Sequence, residues 1–231
     1  MRYLLKLSGE ALSAGGKTFN KEYLAGIASQ IKEIIKNGNS VAVVSGGGNM
    51  VRGKEFEELG FERVEADHMG MLATTLNCMA LAAALTKAKV KAKVMSAVKV
   101  DGVDSIDVKL ANELLDKKTV VLFGGGIGNP YFTTDTACAL RAIEIKADKI
   151  LIGKNQTDGV YDKDPNKFKD AKMFKTLTFD EILDRRLSVM DATAASLCRE
   201  YKVNVFVFNA NGKNNFVKAA QGKIKGTNIK A

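Results

Sequence analysis

Three of the strands predicted along this chain run directly into glycine-rich turns. These turns follow Leu7, Val44 and Phe123 and contain Ser8-Gly9, Gly46-Gly47-Gly48 and the sequence GGGIG at 124–128. Glycine lets a backbone approach a phosphate closely and present its N–H groups, and a following helix N-terminus favours an anion. Ligands of open α/β sheets bind beyond the carboxyl ends of the strands. Three such turns at one sheet edge therefore indicate a ligand rich in phosphate.

The side chains near these turns suit phosphoryl transfer. Lys6, Arg52 and Lys154 supply positive charge, Thr133 and Thr134 supply hydroxyl groups, and several aspartates lie nearby in the sequence. Phosphoryl transfer asks little covalent chemistry of a protein, but it needs cations around the transferred group, a metal ion and in-line positioning. The residue types present match that demand.

Motifs for other chemistry are incomplete or absent. Residues 48–54 match most of the P-loop pattern, but Glu55 stands where a Ser or Thr hydroxyl should bind magnesium. We therefore interpret this match as coincidental, and no GxGxxG fingerprint of dinucleotide binding is present. His68 is the only histidine, so it cannot build a multi-histidine metal site, and we expect it to pack in the core or form a hydrogen bond.

Short β-rich runs alternate with helical patterns from end to end, which is typical of a mainly parallel sheet with helices on both faces. The predicted strands are 3–7, 40–44, 92–97, 119–123, 149–152 and 203–208. The predicted helices are 23–36, 69–85, a helix that begins after Thr178 with a Thr178–Glu181 capping box, 191–201 and 214–221. We expect one α/β domain over residues 1–231, a three-layer αβα sandwich.

Composition is that of an ordinary soluble protein, with 46% hydrophobic and 26% charged residues. The three cysteines, Cys78, Cys138 and Cys198, are too widely spaced for a disulfide framework or a CxxC metal site. They favour a reducing compartment, which predicts a cytoplasmic protein. No run of about 18 apolar residues is expected to span a membrane, because polar residues interrupt 69–85, and we interpret this run as a buried helix.

The formal net charge of +9 raises the alternative of a nucleic-acid-binding protein. Six lysines follow Glu200 without any acid, and Lys87, Lys89, Lys91 and Lys93 alternate with apolar residues, as in a strand with one wet face. We interpret both groups as solvated surface, since no nucleic-acid-binding motif accompanies them.

Five motifs together resemble the bacterial UMP kinase family of the amino-acid-kinase superfamily. They are KLSGEAL at 6–12, GGGNMVRG at 46–53, DHMGMLAT at 67–74, GNPYFTTD at 128–135 and DGVYDKDP at 158–165. The last motif alone would indicate only the superfamily, whose other members act on acyl acceptors such as aspartate. The DHMGM and GNPYFTTD motifs single out UMP.

The resemblance implies a set of roles for these residues. The ATP phosphates would be held by Lys6, Leu7, Ser8, Gly9, Gly48 and Arg52. UMP would be held by Gly47, Asp67, Ile127, Gly128, Asn129, Pro130, Tyr131, Phe132, Thr133 and Thr134. The adenine and ribose side of ATP would be lined by Asn155, Tyr161 and Asp164, while Lys6 and Arg52 would offset charge on the transferred group and Asp191 would orient Lys6.

Simpler roles remain open for several of these residues. Tyr161 would also suit a core position, Asp164 a turn before Pro165, Thr133 and Thr134 helix caps, and Asp67 a cap at the start of the buried helix. For Tyr161 and Asp164, their position within the motif favours the binding role. The resemblance further implies the amino-acid-kinase fold with lobes at 1–148 and 149–231, Mg²⁺ that arrives with ATP, a homohexamer, and inhibition by UTP.

Overall fold

A computed structural model describes residues 1–13, 17–51, 56 and 58–230. Within this part of the chain, one sheet contains strands β1 (Arg2–Leu7), β2 (Ser40–Ser45), β3 (Ala92–Ser96), β4 (Asp104–Ser105), β5 (Val120–Gly124), β6 (Lys149–Lys154), β7 (Thr176–Thr178), β8 (Asn204–Asn209) and β9 (Gly226–Lys230). Their order across the sheet is β4-β3-β5-β2-β1-β6-β8-β9-β7. All neighbouring pairs are parallel except β8 with β9.

Helices cover both faces of this sheet. They are α1 (Lys21–Lys36), α2 (Arg63–Lys87), α3 (Val108–Asp116), α4 (Thr134–Glu144), α5 (Phe179–Asp184), α6 (Ala192–Glu200) and α7 (Asn215–Ala220), with a 3₁₀ turn at Glu10–Leu12. Successive strand residues point to opposite faces, so Leu4 packs in the layer of α3 to α6, and Leu5 in the layer of α1, α2 and α7. The predicted three-layer sandwich is confirmed, while the division into two lobes stays a prediction.

The six predicted strands are all present, with ends that differ by at most two residues. The sequence analysis missed β4, β7 and β9. Strands β4 and β7 have two and three residues, which is too short for an alternating pattern to be recognised. Strand β9 buries only Thr227 and Ile229 among more polar neighbours.

The starts of α4, α5 and α6 follow polar caps that the sequence analysis named, whereas α3, which Asp107 caps, was not predicted. The Thr178–Glu181 capping box opens α5, and the Thr178 hydroxyl accepts a hydrogen bond from the Glu181 amide. Asp191 is the N-cap of α6, and Thr133 is the N-cap of α4.

The alternating lysines at 87–93 do not form one strand, contrary to the sequence analysis. Lys87 is the last residue of α2, Lys89 has a left-handed φ of 60°, and β3 begins only at Ala92. The alternation therefore covers a helix end and a turn. Of the four lysines, only Lys93 lies in a strand.

Helix α2 begins six residues earlier than predicted, after the capping box of Glu62 and Glu65. Its 25 residues are long and apolar enough to cross a membrane by length and composition alone, so the prediction that polar residues rule this out was wrong. Thr74, Thr75 and Asn77 are buried and bonded to protein oxygens instead of breaking the helix. One such helix is weak evidence for a membrane span, since core helices pass the same test.

Candidate active site

The glycine turns after β1, β2 and β5 lie side by side, because these three parallel strands are neighbours. A Cβ atom on Gly9 would lie 2.5 Å from the Gly46 carbonyl oxygen and 2.6 Å from the Gly48 nitrogen. Gly125 has a φ of +75°, and a Cβ there would lie 2.7 Å from the Ala97 nitrogen. Glycine is therefore required at Gly9 and Gly125 for the turns to approach this closely.

Lys6 forms an ion pair with Asp135 at the centre of this edge. The Lys6 Nζ atom lies 2.7 Å from Asp135 Oδ1, and both side chains are largely shielded from solvent. Lys6 belongs to β1, whereas Asp135 lies in the first turn of α4. A shielded ammonium group needs a partner of this kind, because its desolvation is otherwise costly. The sequence analysis did not single out Asp135, although it ends the GNPYFTTD motif.

Asp191 contacts the start of α4, whereas the resemblance implied that it orients Lys6. Its carboxylate accepts hydrogen bonds from the Ala194 amide at 2.8 Å, from the Thr136 hydroxyl at 3.0 Å, and from the Thr133 hydroxyl. The partner of Lys6 is Asp135. Asp191 thus connects the start of α6 with the start of α4 through hydrogen bonds, and α4 carries Asp135.

Lys154 adds a second cation to the Lys6–Asp135 pair. It ends β6, and its Nζ atom donates a hydrogen bond to the Val189 carbonyl at 3.1 Å. Burial lowers the pKa of Lys154, nearby Lys6 lowers it further, and Asp135 opposes this shift. Since β1 lies between β2 and β6, this cluster of Lys6, Lys154 and Asp135 occupies the middle of the sheet edge.

A first cavity of about 470 Å³ lies beyond the end of β6. Its walls are Lys154, Thr157, residues 159–165 and residues 185–189. Tyr161 and Asp164 line it, and Asp164 also accepts a hydrogen bond from the Asn166 amide at 2.9 Å, as predicted for a turn residue. Asn155 is not among the lining residues, and its carbonyl accepts a hydrogen bond from Asn211.

A second cavity of about 290 Å³ lies on the other side of β1, between the turn after β2, the first half of α2 and the loop from β5 to α4. Six of the residues implied to hold UMP line this cavity: Gly47, Asp67, Asn129, Phe132, Thr133 and Thr134. Ile127, Gly128, Pro130 and Tyr131 are outside this lining, and Gly48 belongs to it.

Asp67 is not a helix cap, because α2 begins at Arg63 and places Asp67 in its second turn. Its carboxylate accepts a hydrogen bond of 2.7 Å from the Tyr131 amide and two from Arg63 Nε, at 2.9 and 3.0 Å. Arg63 also lines the second cavity. Sequence analysis missed Arg63, although its spacing of four residues from Asp67 on a helix was a usable signal.

Two further residues from the sequence analysis are Arg52 and His68. Arg52, with the P-loop-like residues 53–55, lies outside the described residues. His68 is exposed, so it is not a core residue, and its Nδ1 atom lies 2.8 Å from the Val64 carbonyl oxygen.

Comparison with known proteins agrees with this geometry. The model of the amino acid kinase family matches residues 1–209. The uridylate kinase of Mycoplasmopsis synoviae is 46% identical over 238 residues, which cover 99% of this chain and 97% of that protein. The uridylate kinase of Limosilactobacillus reuteri is 46% identical over 231 residues, with coverages of 99% and 96%.

Solved structures give the same result. The crystal structure of UMP kinase from Ureaplasma parvum has a TM-score of 0.95 and 38% identity, and the match covers 100% of this chain and 98% of that chain. UMP kinase from Bacillus anthracis also has a TM-score of 0.95 and 38% identity, with coverages of 99% and 95%. The chain therefore belongs to the amino acid kinase family. The relatives that it matches over almost its full length are uridylate kinases.

Proposed function

We propose that this protein is a UMP kinase, which transfers the γ-phosphate of ATP to UMP and forms UDP and ADP for pyrimidine nucleotide synthesis. The observation that carries the proposal is the cluster of Lys6, Lys154 and Asp135 between two cavities at one sheet edge. Such an arrangement suits two nucleotides that meet end to end with their phosphates at the cluster.

UMP is assigned to the second cavity and ATP to the first. The Asp67 carboxylate on the wall of the second cavity is suited to accept hydrogen bonds from ribose hydroxyls. Tyr161 and Asp164 on the wall of the first cavity are suited to contact the adenosine part of ATP. The glycine turns after β1 and β2 would present backbone N–H groups to the phosphates between them.

The chain's own contribution to the reaction is positioning and charge. A phosphate oxygen of UMP attacks the γ-phosphorus, so no side chain acts as nucleophile. Lys6, Lys154 and Arg52 supply positive charge where negative charge develops on the transferred group. Asp135 holds Lys6 in place, and Asp191 holds the start of α4 that carries Asp135.

Magnesium is proposed to arrive bound to ATP. Mg²⁺ prefers oxygen ligands and commonly combines substrate phosphates with waters and one or two carboxylates. Asp135 in the cluster already contacts Lys6, and Asp191 already accepts hydrogen bonds from the Thr136 hydroxyl. This donor set fits a metal ion held mainly by ATP. When bound, the ion would neutralise charge on the phosphates.

Three further properties are part of the proposal. Leu72, Leu76 and Met79 form an exposed apolar face of α2, which supports assembly into a homohexamer through contact between copies. UTP carries the same uridine as UMP, so we expect it to bind in the second cavity and inhibit. The three cysteines are free and buried, which suits the reducing cytoplasm.

A coupled assay of ADP release tests the proposed activity. ATP and magnesium are supplied with UMP, CMP, AMP, aspartate or acetylglutamate as the acceptor. We expect turnover with UMP and little with the others. Turnover with an amino acid in place of UMP would make the protein a different member of its family. Absence of turnover together with tight, salt-sensitive RNA or DNA binding would favour the nucleic-acid-binding alternative.

A further inference from the structure

Asn77 is a fully buried amide in the middle of α2. A buried amide needs hydrogen-bond partners, because an unsatisfied donor or acceptor inside a protein is costly. Asn77 is not among the residues that line the two cavities at the sheet edge. The proposed reaction therefore gives it no direct contact with a substrate, and its role must follow from the protein groups that it contacts.

The partners of Asn77 belong to the glycine turn after β2 and to the residue that follows it. The Asn77 Nδ2 atom donates a hydrogen bond to the Gly46 carbonyl at 2.6 Å and another to Asn49 Oδ1 at 2.8 Å. In return, Asn49 Nδ2 donates to Asn77 Oδ1 at 3.0 Å, and it also donates to the Thr18 carbonyl at 2.9 Å. The two amides thus connect α2 with this turn and with the segment that precedes α1.

The hydrogen bond to Gly46 fixes the orientation of the peptide group between Gly46 and Gly47. The carbonyl and the N–H of a planar trans peptide point in opposite directions. Because the Gly46 carbonyl is held toward Asn77, the Gly47 N–H is directed away from it. In the described part of the chain, this N–H donates no hydrogen bond to protein, and Gly47 lines the second cavity. The donor is therefore left for a ligand in that cavity.

This turn cannot fix the orientation of its own peptide groups. Glycine has wide conformational freedom, and residues 46–48 are all glycine. Glycine is nevertheless needed at Gly47, since a Cβ atom there would lie 2.9 Å from the Gly70 carbonyl oxygen of α2. The group that holds the peptide must therefore come from outside the turn, and Asn77 supplies it.

We propose that Asn77 is a positioning residue for phosphate binding, which holds the peptide group of Gly46 and Gly47 so that the Gly47 N–H is presented to a phosphate in the second cavity. This role rests on the proposed function, under which the phosphate is that of UMP. A donor that is already oriented binds more tightly, because no affinity is lost to ordering it when the ligand arrives. Asn77 touches no substrate and acts only through Gly46.

Equilibrium titrations with UMP and with uridine test this role, because the two ligands differ only in the phosphate. The test variant is Asn77→Leu, which removes the amide without adding charge. The matched control is Thr75→Val, which removes a different buried hydrogen bond of α2, to Ser96 in β3. We expect Asn77→Leu to bind UMP at least about tenfold more weakly than wild type, the effect of one hydrogen bond to a charged group. Uridine binding should stay within about twofold of wild type, and the control should bind both ligands as wild type does.

Unchanged UMP binding in Asn77→Leu, or equal losses for UMP and uridine, would overturn the proposal. Steady-state kinetics gives a second readout. In Asn77→Leu, KM for UMP should rise at least about tenfold while KM for ATP changes less than about threefold. A purely structural role would lower the fraction of active protein, and with it the apparent kcat, and would leave both KM values unchanged.

A crystal structure of the wild-type protein with inorganic phosphate decides the question even if Asn77→Leu does not fold. We expect a phosphate oxygen within about 3.2 Å of the Gly47 nitrogen, with the Gly46 carbonyl still bonded to Asn77. Absence of phosphate from the Gly47 nitrogen, or a peptide group turned with its carbonyl toward the phosphate, would overturn the inference. Phosphate bound at Gly47 in a protein without turnover of UMP would overturn the proposed function and would support the role of Asn77.

Discussion

Lys6 shows how a single residue connects the fold with the proposed reaction. It lies in a shielded strand, where an unpaired ammonium group would be destabilising, and Asp135 at 2.7 Å offsets that cost. The pair also fixes the position of the ammonium group before substrates bind. A cation held in this way needs no reorganisation when negative charge develops on the transferred phosphate.

Asp67→Asn is expected to weaken the use of UMP. A hydrogen bond to a charged group contributes roughly 1.5 to 3 kcal/mol, so kcat/KM for UMP should fall on the order of 10- to 100-fold and the advantage over dUMP should narrow. Steady-state kinetics with UMP and dUMP measures this, and the exposed Asp101→Asn is the matched control. An unchanged ratio of UMP to dUMP would remove Asp67 from ribose recognition.

We expect kcat to fall at alkaline pH, because Lys154 loses its proton there. Burial lowers the pKa of Lys154, so the residue loses its proton at a lower pH than an ordinary lysine does. If its charge supports transfer, kcat falls as pH rises through that lowered pKa. Lys154→Arg keeps its charge and should move the limb to higher pH, whereas Lys154→Met should lower kcat at every pH, by about 10²-fold. An identical pH profile of kcat in the arginine variant and wild type would contradict this role.

At the scale of elements, the sequence predicts those strands, turns and helix caps that depend only on neighbouring residues. Apolar strands followed by glycine turns are visible in the sequence, and so are helix caps such as Thr178. The partners of Lys6 and Asp67 are not, because Asp135 and the Tyr131 amide come near them only through the order of strands and helices. The edge strands β4 and β7 escape prediction for a related reason, since they are formed by pairing and not by a pattern of their own.

Gly9→Ala tests the contact between the first two glycine turns. The added Cβ would meet the Gly46 carbonyl and the Gly48 amide at 2.5 and 2.6 Å, so the turns must separate. We expect kcat/KM for ATP to fall by at least about tenfold, the effect of roughly 1.4 kcal/mol. Gly26→Ala in α1 is the matched control, since its Cβ has no neighbour within 4 Å.

The control should raise stability by up to about 1 kcal/mol, because alanine favours a helix over glycine. Thermal melts and steady-state kinetics on both variants separate loss of folding from loss of activity. Full activity of Gly9→Ala would show that the close approach of the turns is not needed for ATP use.

At the scale of the whole molecule, the outer face of α2 remains exposed. Leu72, Leu76 and Met79 are 47%, 49% and 42% exposed, and their spacing places them on one side of the helix. An apolar stripe of this kind is typical of an interface between proteins. The sequence analysis expected α2 to be buried on nearly all sides, and a second copy of the chain is the cover that we propose.

Leu76→Glu should therefore disrupt the assembly. A charge in the centre of an apolar interface is strongly unfavourable, and we expect light scattering to show six chains of 24.9 kDa for wild type and smaller species for the variant. Leu59→Glu is the matched control, since Leu59 is 72% exposed outside α2. A wild-type monomer at micromolar concentration would contradict the proposed assembly.

The two cavities that we propose for the substrates also belong to this scale, because no local pattern predicts them. Their walls combine residues from distant parts of the sequence, such as Lys154 with Val189, and Gly47 with Asp67 and Thr134. The order β2-β1-β6 brings these parts to either side of Lys6. The sequence could indicate phosphate chemistry, but only the assembled sheet shows that a cavity lies on either side of one ion pair.

Direct transfer between these cavities is the central claim, and a single-turnover experiment with γ-labelled ATP and UMP tests it most directly. In wild type, the label should appear in the β-phosphate of UDP within one turnover. In Lys6→Ala, transfer should slow on the order of 10²- to 10³-fold, the typical effect of losing one preorganised charge-stabilising group. Label released as inorganic phosphate in place of UDP, or transfer at an equal rate in Lys6→Ala, would contradict the account.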